Sequence, residues 1–406
     1  MNLVILTGPF MSSGTIASST FITTVLAGVQ LNGGNARVVE FTSGKLSLGT
    51  CTDNAVTFEK IEHAKGFFTS AYTVLANLLR SLDWNPEDSV LMSYPRSLDH
   101  VALAYSVTQQ LGWKFGIFST ELIDEQRMKE SSIPDYLTFA TQADIVWAVV
   151  ESLADFWQEH GVSEKRIFTN ITTIFDDAVI NPDSVVPTSD VVFVGNIEDR
   201  YWEILRDIAG IMSKRRPDFT MQIYAASSAE RKATCQEDLR ARGLEEVVKI
   251  NPVLCYPDLV PAIACSRVAI SPCPVPDGFP QKIGDYLCSG RPIVSPMGMN
   301  MRHTFSEGKN ILTAPMDDLE GFTDKINQLL DNPAYAREVG LAGQALLGEY
   351  FSGKAATMRF MEQVQSITRR RKKNRFVPRF IDCFKQTECA RILVRMRNRV
   401  WRRDGQ

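Results

Sequence analysis

The chain has 406 residues, of which 44% are hydrophobic and 22% are charged, and its formal net charge is −3. This length predicts two or three domains with substantial cores, and no run approaches the roughly 20 apolar residues that a membrane-spanning helix needs. Eight scattered cysteines and only four histidines argue against both a disulfide framework and a zinc site. The first residues lack a basic region and resemble a strand rather than a signal peptide, so we expect a cytoplasmic protein.

The first half of the chain alternates short apolar segments with longer periodic stretches. Strands are predicted near residues 3–7, 37–41, 89–93, 114–118, 145–149 and 167–169. Such alternation is typical of a parallel sheet covered by helices on both faces.

The segment from Thr7 to Thr15 follows the first strand and opens a helix that is predicted to run through Leu31. It is rich in glycine and serine, but it has neither the G-x-G-x-x-G spacing of a dinucleotide site nor the Gly-Lys-Ser of a P-loop. We therefore expect Gly14 to help close a cleft over phosphate or sugar, and we do not expect this segment to bind a nucleotide by itself.

Residues 181–189 have no hydrophobic periodicity and are predicted to be an interdomain linker. A second series of strands is predicted near residues 191–194, 221–225, 247–250, 268–271, 292–295 and 311–313. The predicted domains are residues 1–180 and 190–352, followed by a closing helix and a basic tail over 353–406. Two doubly wound α/β halves of this kind would face each other across a central cleft.

The segment 276–295 is the most informative part of the chain, because two acids, a glycine and a lysine surround one predicted helix start. Pro280 suits a first helical turn, and Gly290 suits the left-handed residue that follows a helix. The helix is therefore predicted over about 280–289.

Lys282 and Asp285 are three residues apart and share one face near the start of that helix, where the helix dipole favours phosphate. An ammonium about 4 Å from a phosphate oxygen gains ~4 kcal/mol at an effective dielectric constant near 20. Asp285 is then placed to hold a ribose diol. The alternative is a solvated ion pair on an ordinary surface helix. The position of Asp277 and Lys282 beyond the end of a predicted strand favours the ligand site.

Residues 369–406 contain 14 Lys and Arg residues and three acids, a net charge of +11 that leaves −14 on residues 1–368. Apolar side chains recur at spacings of three, four and seven between Phe376 and Trp401, which predicts amphipathic helices. We expect residues 369–403 to bind an anionic membrane surface. Nucleic acid is the less favoured partner, and a solvated end without a partner is the third possibility.

The second half resembles the GT-B fold glycosyltransferases, especially glycosyltransferase family 4, whose signature is two glutamates separated by seven residues. Asp277-Gly278-Phe279 and the segment from Asp285 to Val294 match that spacing, with aspartate at both acid positions. The segment from Lys282 to Leu287 is closer to the exopolysaccharide and teichuronic acid members. Phe193 to Arg200 is similar to the start of their nucleotide-binding domain, although the usual Arg and Lys-Gly pair is reduced to Arg200. Shorter matches extend over most of the chain.

The resemblance implies two Rossmann-like domains around a cleft, with the donor held mainly by the second domain. It also implies that either Val253 or Leu254 meets the nucleotide base. The expected donor-binding residues are Gly14, Gly195, Asn196, Arg200, Val253, Leu254, Gly278, Phe279, Lys282 and Asp285.

Three residues are expected to take part in catalysis. Lys282 would stabilise the departing diphosphate, on which negative charge grows during sugar transfer. Asp277 would contact the hydroxyl groups of the donor sugar, and Glu121 would orient the sugar or remove the acceptor proton. The chain has no Asp-x-Asp pair of the kind that bridges a metal to a diphosphate. We therefore expect neither a metal nor another cofactor.

The resemblance thus implies a retaining glycosyltransferase that moves a sugar from a UDP- or GDP-sugar to a lipid-linked or polysaccharide acceptor. It would work at the cytoplasmic face of a membrane, as part of polysaccharide or cell-envelope biosynthesis. Three alternatives stay open at this point: a nucleotide-sugar epimerase of the same fold, a transferase that glycosylates modified nucleic acid bases, and a binding protein without catalytic activity.

Overall fold

The computed structural model describes residues 1–7, 16–42, 45–52, 55–63, 68–94, 98–119, 137, 141–170, 174–252, 254, 258–272, 279–280 and 282–367. Five predicted site residues and the basic segment lie outside the described residues: Gly14, Glu121, Val253, Asp277, Gly278 and 369–403.

Among the described residues, the first sheet has eight strands in the order β4-β3-β2-β1-β5-β6-β7-β8. The strands are β1 (Asn2–Thr7), β2 (Asn35–Thr42), β3 (Lys45–Thr52), β4 (Ala55–His63), β5 (Ser89–Ser93), β6 (Lys114–Ser119), β7 (Ile145–Ala148) and β8 (Ile167–Thr169). The six predicted strands are present and run parallel to one another. β3 and β4 were not predicted; they pair antiparallel and extend the sheet beyond β2.

Among the described residues that precede β9, four helices accompany this sheet: α1 (Ile16–Leu31), α2 (Phe68–Arg80), α3 (Leu98–Leu111) and α4 (Glu151–Glu159). Alternate residues of β1 enter different apolar clusters, because Val4 and Leu6 belong to one cluster while Leu3 and Ile5 belong to another. A strand that is apolar on both sides indicates a sheet covered on both faces, as predicted.

In the part of the chain that the structure describes, the second sheet has six parallel strands in the order β11-β10-β9-β12-β13-β14. The strands are β9 (Ser189–Gly195), β10 (Met221–Ala225), β11 (Val248–Pro252), β12 (Ser266–Ile270), β13 (Ile293–Ser295) and β14 (Leu312–Thr313). Its helices are α5 (Asp199–Arg215), α6 (Ala229–Ala241), α7 (Leu259–Ala264), α8 (Lys282–Cys288), α9 (Leu319–Asp331) and α10 (Pro333–Gln344). The predicted α/β class with two doubly wound sheets is confirmed.

After α10 the chain returns to the first sheet. A short π-helix over Leu347–Phe351 leads into α11 (Gly353–Ser366), whose Ala356 and Phe360 pack in the same core as α1. The approach of α1 to α11 is very close, because a Cβ at Gly28 would lie 2.5 Å from the Gly353 carbonyl oxygen and 2.5 Å from the Thr357 hydroxyl. Glycine therefore permits this helix crossing.

Replacing Gly28 by alanine should lower the free energy of unfolding by about 1–3 kcal/mol, because the added methyl group forces two packed helices apart. Urea denaturation of the purified protein measures this change. Gly210→Ala, in the middle of α5, is the matched control, since a Cβ there meets nothing within 4 Å. The control should gain up to about 1 kcal/mol from helix propensity. Equal stabilities of the two variants would contradict the close crossing.

Candidate active site

The candidate site lies at the carboxyl end of β9, in the middle of the second sheet. The chain winds from β9 through β10 to β11 on one side, and then from β12 through β13 to β14 on the other. Such a reversal is the topological switch point at which open α/β sheets bind ligands, beyond the carboxyl ends of their strands. Gly195 ends β9, and α8 begins at Lys282 in the segment that follows β12.

The ammonium group of Lys282 is held over two aromatic rings at this point. Its Nζ lies 4.1 Å from the centroid of the Phe193 ring and 5.0 Å from the centroid of the Tyr201 ring. The two ring centroids are 6.0 Å apart. A cation over a ring face gains ~0.5–2 kcal/mol from the ring quadrupole. The two rings therefore help to fix the position of the positive charge.

Gly195 provides the space that this ammonium occupies. A Cβ at Gly195 would lie 2.9 Å from Nζ of Lys282, and the residue has a φ of +142°. L-amino acids with a side chain rarely adopt such a φ value. The backbone conformation therefore favours glycine at the end of β9, and a side chain at this residue would displace the Lys282 ammonium.

The turn that follows Gly195 is fixed by the next βα unit. The Ala226 N–H donates to the Gly195 carbonyl (3.1 Å), and the Ile197 N–H donates to the Ser227 hydroxyl (3.0 Å). Nε of Arg231 donates to the Ile197 carbonyl at 2.8 Å. These hydrogen bonds hold the turn in one conformation before any ligand arrives, which lowers the entropic cost of binding.

Asn196 and Arg200 lie on the exposed side of the same region. Because α5 begins at Asp199, Arg200 is in the first turn of a 17-residue helix. The unpaired N–H groups and the dipole of that helix favour an anion near its start. Four predicted residues, Gly195, Asn196, Arg200 and Lys282, are thus placed at the start of α5 or at the adjoining end of β9.

Helix α8 begins and ends close to the predicted positions, and Gly290 has a φ of +65°, as expected for a residue that follows a helix. Every residue from Ile283 to Cys288 is buried, and Asp285 is only 7% exposed. The alternative of a solvated ion pair on a surface helix is therefore wrong for Asp285.

The remaining two described residues of the predicted set are anchored in the apolar core. The Phe279 ring centroid lies 6.1 Å from that of Phe305 and 5.7 Å from that of Phe351. Leu254 is half-buried against the apolar cluster that contains Tyr286.

Three residues of the site were missed by the sequence analysis: Phe193, Tyr201 and Tyr286. The hydroxyl of Tyr286 accepts a hydrogen bond from the Val194 N–H (2.9 Å) and donates one to the Ile270 carbonyl (3.0 Å). Complete burial raises the pKa of Tyr286, so the hydroxyl stays protonated and can make both bonds. One sequence feature could have indicated Phe193: it lies two residues before Gly195 in a predicted strand, so both residues lie on the same face of that strand.

A cavity of about 430 Å³ lies between the first sheet and the second. Nε2 of His303 is 3.4 Å from Oε2 of Glu151 across it, and the Ser152 hydroxyl donates to Oδ1 of Asn300 at 3.2 Å. Ser152 and Glu151 belong to α4, whereas Asn300 and His303 follow β13, so these contacts join the two α/β units.

Within the described ranges, no three His, Cys, Asp or Glu side chains are grouped so that they could hold a metal ion. The expectation that no metal is needed stays a prediction. Among the helices of the same ranges, none is long and apolar enough to span a membrane.

Residues 188–332 match the family model of glycosyl transferases group 1. This segment runs from β9 to α9 and contains the described part of the candidate site. A sequence comparison with curated proteins finds no significant match.

Solved glycosyltransferase structures share the fold of most of the chain. HepE from Anabaena, in complex with UDP-glucose, is 11% identical and has a TM-score of 0.68 over 90% of this chain and 100% of that chain. A glycosyltransferase from Rickettsia africae ESF-5 is 13% identical, with a TM-score of 0.66 over 90% of this chain and 98% of that one. A mutant of S. aureus TarM, in complex with fondaparinux, alpha-GlcNAc-glycerol and UDP, is 14% identical. Its TM-score is 0.57 over 81% of this chain and 75% of that chain. The chain has the GT-B fold, and the family match supports a glycosyltransferase.

Proposed function

We propose that the protein is a glycosyltransferase that uses a UDP-sugar as donor. The observation that carries this proposal is the ammonium of Lys282, which the rings of Phe193 and Tyr201 hold at the end of β9. A fixed positive charge at a topological switch point suits the diphosphate of a nucleotide. The group 1 match over the same segment and the UDP-glucose complex of HepE agree with this reading.

In this proposal the donor lies across the carboxyl ends of β11, β9 and β12. The base meets Val253 or Leu254, Asp285 accepts hydrogen bonds from the ribose hydroxyls, and the diphosphate contacts Lys282 and Arg200. This order follows the strand order of the sheet. Asp285 follows Lys282 by one helical turn, so a ribose and its diphosphate can be held by one helix.

The reaction proceeds without a metal ion in this proposal. As the bond between the sugar and the diphosphate breaks, negative charge grows on the leaving phosphate. Lys282, Arg200, the first turn of α5 and the N–H groups of Gly278 and Phe279 can stabilise that charge. Asp277 contacts the donor sugar, Glu121 serves the acceptor side, and the anomeric configuration is retained, as the resemblance to family 4 implies.

The acceptor in this proposal is a lipid-linked sugar or a polysaccharide, of the kind handled by the exopolysaccharide and teichuronic acid subgroup. The basic segment 369–403 would hold the enzyme at the cytoplasmic face of an anionic membrane. Its arginine-rich composition and interleaved aromatic residues support a bilayer partner.

Calorimetric titration of the purified protein with UDP, GDP and ADP, and with their glucose conjugates, tests the donor class. We expect UDP and UDP-glucose to bind with micromolar affinity and to bind equally well in EDTA. Slow release of glucose from UDP-glucose without an acceptor would support transfer chemistry. If no nucleotide diphosphate binds, the proposed function is wrong, and loss of binding in EDTA would overturn its metal independence.

Substituting glutamine for the five basic residues 369–373 should weaken binding to phosphatidylglycerol vesicles by at least about 100-fold, since each basic residue near the surface contributes ~1 kcal/mol. Sedimentation with vesicles measures the affinity, and neutral phosphatidylcholine vesicles are the control. Binding to duplex DNA that exceeds binding to the anionic vesicles would instead favour a nucleic acid partner.

A further inference from the structure

Strands β9 and β12 separate at the point where the candidate site lies. They pair in parallel as far as Val192 opposite Ala269, and the pairing ends there. β9 nevertheless continues to Gly195. If the same register continued, the next hydrogen bond of the parallel ladder would run from the Val194 N–H to the Ile270 carbonyl.

The hydroxyl of Tyr286 takes the place of that missing hydrogen bond. It accepts from the Val194 N–H at 2.9 Å and donates to the Ile270 carbonyl at 3.0 Å. A direct bond would bring this nitrogen and oxygen to about 2.9 Å, whereas two bonds in series hold them roughly 5 Å apart. The inserted hydroxyl therefore satisfies both backbone groups and keeps the two strands apart.

This insertion also fixes α8. Tyr286 is 0% exposed, and its neighbours Ile283 and Leu287 pack in the same apolar cluster as Val194 and Ala269. The helix can slide along the sheet only if both hydrogen bonds of the hydroxyl break. Lys282 lies one turn before Tyr286, and Asp285 directly precedes it. Their positions relative to β9 thus depend on where the hydroxyl is seated.

We infer that Tyr286 is a positioning residue of the donor site: its hydroxyl holds the β9–β12 crevice open and places Lys282 and Asp285 to bind the diphosphate and ribose. The identity of the ligand rests on the proposed function, whereas the insertion of the hydroxyl between the strands does not. Because Tyr286 acts through Lys282 and Asp285, it need not touch the donor itself.

Tyr286→Phe removes the hydroxyl and keeps the ring. We expect β9 and β12 to close onto each other, and the Lys282 ammonium to move by about 1 Å or more from its seat on the Phe193 ring. A displacement of this size costs about 10- to 100-fold in the UDP dissociation constant and in kcat/KM. Crystal structures give the displacement, and calorimetry with UDP gives the affinity.

Ser266→Ala is the matched control, because the Ser266 and Ser189 hydroxyls make a buried hydrogen bond of 2.6 Å at the other end of the same strand pair. Its loss should lower stability by a similar amount and leave UDP affinity within about twofold. Should Tyr286→Phe not fold, Tyr286→Met is the second variant, because its flexible side chain can adapt to the cavity and carries no hydroxyl.

The two readouts separate the inference from the proposed function. A structure of the Tyr286 variant in which Lys282 and Asp285 keep their places overturns the positioning role. Unchanged UDP affinity in that variant also overturns it when the wild-type protein binds UDP. If the wild-type protein binds no UDP while the variant shows the displaced lysine, the proposed function fails and the positioning of α8 by Tyr286 stands.

Discussion

Replacing Lys282 by alanine should weaken the binding of UDP by about 10- to 100-fold, because a hydrogen bond to a charged group contributes about 1.5–3 kcal/mol. The loss in kcat/KM should be larger, about 10³-fold, since the charge on the leaving diphosphate is greatest in the transition state. Calorimetry with UDP and initial rates with UDP-glucose measure the two effects. A greater loss in rate than in binding would show that the lysine acts mainly on the leaving group.

Lys214→Ala is the control for this change. Lys214 is exposed in the last turn of α5, so its removal changes the net charge of the same domain equally, but at the far end of that helix. UDP affinity in this variant should stay within about twofold, because salt screens charges that lie more than a Debye length apart. Equal losses in both variants would mean that general electrostatic attraction, and not the Lys282 contact, binds the diphosphate.

Much of the fold could be predicted because its signals are local. Parallel strands covered on both faces are short apolar runs, such as the one that became β5, and helix ends carry proline or glycine. The hairpin of β3 and β4 escaped prediction for a related reason. Its strands contain many polar residues, including Lys45, Glu59 and Lys60, and they lie at the edge of the sheet, where only part of each strand needs to be apolar.

The site was predictable only in part. Lys282 and Asp285 stood out because they share one helical face beside a proline and a glycine. Their surroundings could not be deduced, because the partners are distant in sequence: the Val194 N–H and the Tyr286 hydroxyl are separated by 92 positions. Tyr201 in the first turn of α5 gives no local sign that its ring will meet an ammonium from α8. Contacts of this kind are decided by the packing of the sheet and its helices.

Replacing Gly195 by alanine should displace the Lys282 ammonium from the Phe193 and Tyr201 rings, although the lysine itself is still present. The new Cβ would lie 2.9 Å from Nζ of Lys282, and the φ of +142° at this residue would be strained in any L-amino acid with a side chain. We expect a loss of about 1–3 kcal/mol in the free energy of unfolding. We also expect UDP binding to weaken by about tenfold or more, because the ammonium must leave the Phe193 ring. Urea denaturation and calorimetry measure the two quantities.

Gly243→Ala separates the effect of backbone strain from the effect of displacing the Lys282 ammonium. It introduces a side chain at a φ of +66° in the same domain, but a Cβ there meets nothing within 4 Å. This control should lose stability through its backbone alone and keep its affinity for UDP. Gly195→Ala should lose both stability and affinity for UDP, since the end of β9 must be free of a side chain for Lys282 to reach the Phe193 and Tyr201 rings. If Gly195→Ala bound UDP as tightly as Gly243→Ala, the position of the Lys282 ammonium at the end of β9 would not be needed for UDP binding. The diphosphate would then have to be held by Arg200 and the first turn of α5.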